Sequence, residues 1–505
     1  MATAFTTSSC AETSPELRES VRRFLARPAR LLIDGQWREA ASGETFEVLD
    51  PATGQQIASV AKGAALDIDL AVGAARRAFT SGPWAKMLSA ERGRLLYRLA
   101  DLIESRLDEI AELESLDSGN PLSSLRRIDL PTALANLRTA AGWADKITGE
   151  TYLSRPSGHG LTYVLRQPTG VAGLITPWNA PFLMALNKIG YALAAGCTCV
   201  LKPAELAPLS ALWLGTLIQE LDFPAGTVNI IPGLGPQAGA ALAAHPGVNK
   251  ISFTGSTAVG RSIMVAAAGT MKRVTLELGG KSPVLVFPDA DLEAAATAIT
   301  AEITFKTGQF CAAGTRLFVH HSVEDKLLDA VATLSRKITL GHGLRAATQM
   351  GPVISRKQLE RVLHYIDAGR SSGAQLVTGG KALPGSGFFV EPTLLTDARP
   401  DTSVVTDEIF GPVLCAAPFV EDDLDAIASL ANNTPYGLAA KIWTRDLRTT
   451  HQLARKLDAG LITVNGGGGE GARPFGGFKQ SGIGREGGRE GVLAYTELKS
   501  VSIGY

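Results

Sequence analysis

The chain of 505 residues predicts an α/β architecture: a doubly wound, mostly parallel sheet, then a second α/β domain. Three observations carry this. From Val171 the short apolar runs VAGLI, TCVLK, VNII and KISF are separated from one another by stretches of helical periodicity. Buried runs alternating with helices indicate βαβ units with both sheet faces covered, and right-handed crossovers then favour a doubly wound order. A second alternation runs from Pro283 to about Val464 through PVLVF, TRLFVH, PVLCAAPF, AAKIW and LITV. The length, finally, exceeds what one core fills, so two or three domains are expected.

Taken in order, the first 29 residues are polar and small and read as a loose tail entering a short helix. RLLIDGQWRE (30–39) is a hairpin around Asp34 and Gly35, which tolerate the positive φ of a type I′ turn. From Asp67 to Ser118 apolar residues recur at three- and four-residue steps with charges between them, predicting scaffold helices with a polar outer face. NGGGGEG (465–471) is the one low-complexity segment. The ending LAYTELKSVSIGY alternates as a strand and is expected to pair with LTYVLR (161–166) or with another subunit.

Composition excludes several function classes. Hydrophobic residues at 45% and charged residues at 19% describe an ordinary globular protein. Lys+Arg and Asp+Glu balance at 49 each, and without a basic run no nucleic-acid partner is expected. The start has no basic segment leading into an apolar one, and no apolar run is long enough for a bilayer, so a cytoplasmic protein without a membrane partner is expected. The five cysteines have no metal-ligand spacing; they fit free thiols in a reducing compartment and predict no metal site. Cys197 and Cys199, in GCTCVL, read as strand core, and His320 and His321 are expected to face opposite ways at a strand end.

Five segments could carry chemistry. In FTGSTAVGR (253–261), Gly255 allows a tight turn and Ser256 or Thr257 can cap a helix whose free N–H groups suit a pyrophosphate, or simply a strand–helix connection. In LKPAE (201–205), Lys202 and Glu205 end a buried run, where they could hold the two hydroxyls of a ribose or form a solvated strand end. A glutamate there disfavours a 2′-phosphate. In TPWNAP (176–181), Pro177 and Pro181 stiffen a turn carrying Asn179, either an oxyanion donor or a turn asparagine bonding its own backbone. In LELGG (276–280), Glu277 lies in an apolar run; desolvation there would raise it toward general-base use, whereas an edge strand would leave it in water. In TGQFCAAGTR (307–316), Gly308 and Gly314 frame Cys311 without any periodicity, marking it as a presented nucleophile or a small core residue.

TPWNAP, LKPAE, FTGST, LELGGKSP, GQFC, EIFGPV and PFGGFKQSGIGRE, in this order, resemble the NAD(P)-dependent aldehyde dehydrogenase superfamily from about Leu31 to the C-terminus. The resemblance implies a Rossmann-type cofactor domain (30–144 and 169–279), an α/β catalytic domain (280–489) and a small bridging β-sheet (145–168 and 490–505). It implies a homodimer or homotetramer that binds NAD, with NADP possible, and a small-molecule aldehyde. By the same resemblance Cys311 is the nucleophile, Asn179 and the Cys311 N–H form the oxyanion hole, and Glu277 is the general base. Thr176, Pro177, Trp178, Lys202, Glu205, Gly255, Ser256, Glu408 and Phe410 are implied to hold the cofactor. Lys188 and Glu486 are implied to relay the base's proton, and Glu497 to brace subunit contacts.

Departures refine the expectation. Ala258 and Asp407 stand where many members carry glutamate. GGGGEGAR before PFGG and Ala180 beside Asn179 put small residues where bulky ones are common, predicting a roomy entrance lined by Leu183, Met184, Phe305 and Phe310. A bulky apolar or aromatic aldehyde follows, and FTGSTA with the KSVSIGY ending is similar to phenylacetaldehyde dehydrogenases. Against this stand release of the thioester to coenzyme A, which Glu277 disfavours, and a charged or phosphate-bearing substrate, which Arg473 leaves open. A silent structural protein is opposed by the intact Cys311, Glu277 and Asn179, and a thiol hydrolase by the lack of a histidine partner.

Overall fold

The computed structural model describes residues 16–153, 160–420, 422–468 and 472–504. The beginning of the tail, with Cys10, and residues 469–471 of the glycine-rich segment lie outside the described residues.

The first sheet has a parallel body in the order Val228–Ile230, Thr198–Lys202, Val171–Ile175, Lys250–Thr254, Arg273–Glu277. The expected hairpin, Leu31–Ile33 and Gln36–Arg38, extends one edge, with φ of 53° at Asp34 and 73° at Gly35. The other edge is closed by Gly482–Ile483, which returns from far along the chain to run antiparallel to Arg273–Glu277. Alternation explains why these strands read as unbroken apolar runs. Val171, Ile175, Val200 and Ile251 pack on Ala71, Val72, Leu242 and Ile263 on one face, while Ala172, Leu174, Cys199 and Leu201 pack on Phe182, Ile189, Leu212 and Leu217 on the other. Cys197 and Cys199 are core residues. Sequence order reverses between Val171–Ile175 and Lys250–Thr254, and ligands of such sheets bind in the crevice beyond the strands' carboxyl ends at that reversal.

The helical region from Asp67 to Ser118 forms Ala65–Thr80, Pro83–Lys86, Ser89–Ser105 and Leu107–Ser118. The last of these departs from the expected polar outer face: Glu112, Glu114 and Asp117 are all buried. Glu112 is held by the Arg18 backbone and guanidinium; for Glu114 and Asp117 the reason is capping at a distance. Glu114 Oε2 accepts the N–H of Phe182 at 3.1 Å and Asp117 Oδ2 that of Leu209 at 2.8 Å, residues in the first turns of Pro181–Ala194 and Leu209–Glu220. Helix starts carry unpaired N–H groups, and a carboxyl oxygen can accept them even when burial holds the group neutral.

The second sheet runs Gln375–Thr378, Thr393–Thr396, Val413–Phe419, Gly314–His320, Ser282–Val286, Ala439–Trp443, Leu461–Val464 and is antiparallel only at its first pair. A third, small sheet joins Thr496–Ile503, Leu161–Pro168 and Glu150–Leu153, so the final strand pairs with LTYVLR of its own chain. His320 and His321 do not face opposite ways: their rings lie 4.5 Å apart, because the strand ends at His320 and His321 opens a tight helical turn. Among the described residues no three metal-ligating side chains gather, and no helix is long and apolar enough to cross a membrane. Residues 278–281 connect the carboxyl end of the first sheet to the amino end of the second. The site lies at that seam.

Candidate active site

Cys311 is set up by an unusual turn. After the helix Leu292–Thr304, three consecutive residues are left-handed: Lys306 (φ 50°), Thr307 (57°) and Gly308 (68°). For residues other than glycine this costs about 1–2 kcal/mol each, and neighbours hold it in place. Thr307 Oγ1 donates to Gly351 O at 2.9 Å; Gln309 donates to Lys306 O through both N and Nε2 at 3.0 Å; and Ile354 N donates to Gln309 Oε1 at 2.9 Å. Gly308 serves by torsion and because a Cβ would strike the Gly411 backbone. Gly314 serves differently: its torsion is ordinary, and its missing Cβ leaves room for Val284 and Glu302. Cys311 ends up half-buried among Phe310, Phe475, Ala312 and Leu438. Burial, then the Glu408 and Glu277 carboxylates, push its thiol up to about 12.

Asn179 lies in the turn between Val171–Ile175 and Pro181–Ala194, and its Nδ2 donates to Gln309 O at 2.8 Å, two residues before Cys311. Glu277 is the last residue of its strand. It is buried, not facing water: neither carboxylate oxygen has a hydrogen-bond partner, and Oε1 abuts Gly476, where an added Cβ would lie 2.7 Å away. Burial first, then the Glu486 carboxylate, hold Glu277 well above the ordinary range, against Lys188 and Arg485. Lys188, buried, is ion-paired with Glu486 and donates to Ser252 Oγ at 2.8 Å; Ser252 in turn donates to Glu486 Oε1 at 2.8 Å. Gln309, Ser252, Phe475 and Gly476 were not singled out from the sequence. Gln309 stands in the quoted GQFC, but Ser252 in KISF carries no mark of its own.

The crevice fits a dinucleotide. Thr176 Oγ1 and Thr254 Oγ1, at the carboxyl ends of the two strands flanking the reversal, are buried without hydrogen-bond partners. Ser256 is the N-cap of Thr257–Ala268, accepting from Val259 N, and Gly255 precedes it. Lys202 Nζ contacts Glu205 Oε2 at 2.6 Å, and Glu205 Oε1 accepts from Gly235 N at 3.4 Å. Burial lowers Lys202; it also pushes Glu205 up, but the Lys202 ammonium outweighs this and leaves Glu205 below its ordinary value. Across the seam, Glu408 Oε1 accepts from Gly280 N at 3.1 Å and is raised by burial to about 7. Phe410 (φ 58°) has its carbonyl held by Gln358 and its ring edge-on to Trp178 at 5.2 Å, bringing two of the expected cofactor residues together with Pro177 between strand and turn.

Of the expected pocket residues, Phe305 and Phe310 meet edge-on at 5.5 Å beside Cys311. Leu183 and Met184 lie in the first turn of Pro181–Ala194, Leu183 packing partly on the large core. Ala180 is the buried N-cap residue of that helix, and Arg473 is exposed. Glu497 pairs with Arg273, its Oε1 2.6 Å from Nε, both partly exposed.

A doubly wound cleft opening onto a thiol and a buried carboxylate is the arrangement of a dinucleotide-dependent oxidoreductase. The model of the aldehyde dehydrogenase family matches residues 37–501. The NAD+ complex of an aldehyde dehydrogenase from Bacillus cereus is 46% identical, with a TM-score of 0.95 over 97% of this chain and 100% of that one. A mitochondrial benzaldehyde dehydrogenase of Antirrhinum majus is 45% identical over 94% of this chain and 88% of its own length. An indole-3-acetaldehyde dehydrogenase of P. syringae, solved with NAD+ and IAA, is 41% identical with a TM-score of 0.92, covering 96% of this chain and 98% of that one. The chain belongs to the aldehyde dehydrogenase family. It is an enzyme that oxidises aldehydes, and its nucleotide is NAD.

Proposed function

We propose that this enzyme converts a bulky apolar or aromatic aldehyde to the carboxylic acid through a thioester on Cys311, hydrolysed with Glu277 as base. The observation that carries this is Glu277 itself: buried, with both oxygens unpartnered, its charge acting on the Cys311 thiol. Burial keeps Cys311 protonated, so its proton passes to Glu277 before the sulfur adds to the aldehyde carbon. The oxyanion that forms takes the hydrogen of Asn179 Nδ2 not used on Gln309 O, together with the Cys311 N–H. NAD, when bound, supplies the two-electron acceptor. Glu277 first hands the thiol's proton on and is a carboxylate again; it then takes a proton from water, which attacks the thioester, and the C–S bond breaks to release the acid and the Cys311 thiolate. Lys188, Ser252 and Glu486, hydrogen-bonded together, carry that proton away from Glu277.

Lys202 and Glu205 would hold the adenosine ribose, and a glutamate there favours NAD over NADP. Ser256, Gly255 and Thr176 would hold the pyrophosphate side, and Glu408, Phe410, Pro177 and Trp178 the nicotinamide side. We assign residues 30–144 and 169–279 to the cofactor domain, 280–489 to the catalytic domain, and 145–168 with 490–505 to the bridging sheet; the sheets' order supports this except at Gly482–Ile483, which joins the first sheet. The edge-on Phe305 and Phe310 beside Cys311 support an aromatic substrate, as do the benzaldehyde and indole-3-acetaldehyde relatives. A homodimer or homotetramer and a cytoplasmic location complete the reading; the free buried thiols support the latter.

The test is NADH formation across aromatic, long-chain, short and charged aldehydes, with and without coenzyme A, for the wild type, Cys311→Ser and Glu277→Gln. Turnover without coenzyme A, best on aryl aldehydes and lost in both variants, is expected. A preference for small charged semialdehydes would sink the substrate assignment and leave the mechanism standing. A requirement for coenzyme A would sink the hydrolytic step.

A further inference from the structure

Lys306 begins the left-handed turn before Cys311, and its side chain is buried in the protein. It is ion-paired with Asp129, the last residue of the wide helical turn Leu125–Asp129, and both side chains are almost wholly buried, at 3% and 2% exposure. Wide turns of this kind within helices recur at functional sites. The same ammonium lies over the Phe305 ring, 5.2 Å from its centroid, and Phe305 meets Phe310 edge-on next to Cys311. One side chain therefore touches a distant helix, an aromatic residue of the pocket and, through its own backbone, the turn that carries the thiol. Stability alone does not call for it. A buried ion pair is a weak stabiliser because desolvation offsets its attraction, and apolar replacements of similar volume often do as well.

The geometry points to Lys306 as a positioning residue for Cys311: anchored by Asp129, it fixes the turn and holds a buried cation over Phe305, which packs on the Phe310 ring next to the thiol. This inference rests on Cys311 being the reacting thiol. A nearby cation favours the thiolate, and the Lys306 charge indeed acts to lower Cys311, against burial and the carboxylates of Glu408 and Glu277. Beyond the pair itself, two further acidic groups lie on the neighbouring helix. Glu114, on Leu107–Ser118, is raised to about 8 by burial and by Asp129, and Asp117 couples to Glu114. Since Glu114 titrates where thiols are assayed, the profile is read both with and without Glu114→Gln.

The experiment follows the pH dependence of Cys311 alkylation by iodoacetamide in the full-length protein, by peptide mass spectrometry. It compares wild type, Lys306→Arg, Lys306→Met and the double variant Lys306→Met/Asp129→Leu. The double variant leaves no unpaired buried charge, which separates loss of the cation from loss of the fold. Lys306→Arg is expected to keep the wild-type profile. Both variants with methionine should shift it to higher pH, slowing alkylation on the rising limb about tenfold, the factor in thiolate that one pKa unit brings. A double variant that alkylates like the wild type at every pH would overturn the inference. If Cys311 of the wild type resists iodoacetamide throughout while aldehyde turnover persists, the assignment of Cys311 falls, and this inference with it.

Discussion

Asn179 uses one amide hydrogen on the Gln309 carbonyl, which fixes the direction of the other. Removing it with Asn179→Ala should lower kcat by about 10²–10³, the usual cost of one oxyanion donor, with a smaller change in KM. A variant that raises KM at unchanged kcat would make Asn179 a binding residue instead. Glu277 gives a pH prediction with a definite sign. A base works deprotonated, and burial has raised Glu277, so kcat should fall as pH drops through a value well above the ordinary carboxylate range. A profile flat down to about pH 5, close to the ordinary carboxylate value, would contradict this. At Glu205, replacement by glutamine should narrow the ratio of kcat/KM for NAD over NADP; an unchanged ratio would place the discrimination elsewhere. Residue types and neighbours in the sequence raised each of these candidates, yet left Glu277 undecided between base and edge-strand residue. The segment that covers it, Gly476 to Gly482, is far away in the chain, and its contact with Glu277 leaves no local trace.

At the level of elements, the parallel strands were legible because burial on both faces writes continuous apolar runs, and the Asp34-Gly35 turn because positive φ restricts residue choice. Leu107–Ser118 has the sequence of a helix with a polar outer face yet buries it, since the partners of Glu114 and Asp117 are helix starts in other segments. The short strands Thr45–Leu49 and Gln56–Ala61 form a sheet of two, joined otherwise only by a bridge from Ala29 to Val60 among the described residues, and their brief runs carry too little pattern to mark them. Leu107–Ser118 also yields a stability prediction. Glu114 sits at about 8 in the folded protein, against an unfolded value of about 4.3. A carboxyl raised on folding holds its proton more tightly when folded, so its contribution is fully favourable below the unfolded value and is lost as pH rises toward the folded one. Glu114→Gln should therefore gain stability over the wild type across that window, by roughly 3 kcal/mol at neutral pH. Urea unfolding at several pH values measures it, and a pH-independent difference would mean that the carboxyl is ionised when folded.

On the scale of the whole molecule, the third sheet is thin for its exposure. Its register places Leu161, Tyr163, Leu165, Val501 and Ile503 on one face together with Lys499, and Leu161, Leu165 and Ile503 are exposed there. Such a face on three strands fits a contact between copies of the chain. Leu165→Asp with Ile503→Asp should reduce the sedimentation coefficient to that of a monomer; an unchanged value would move the contact elsewhere. The return of the late chain to the first sheet has a consequence for synthesis. Gly482–Ile483 forms that sheet's last edge, Gly476 closes over Glu277, and Glu486 neutralises the buried Lys188. A nascent chain still short of this stretch lacks the counter-ion of Lys188 and the segment that covers Glu277. The first sheet, although made early on the ribosome, must wait for these late residues before it is sealed, and the enzyme becomes competent all at once.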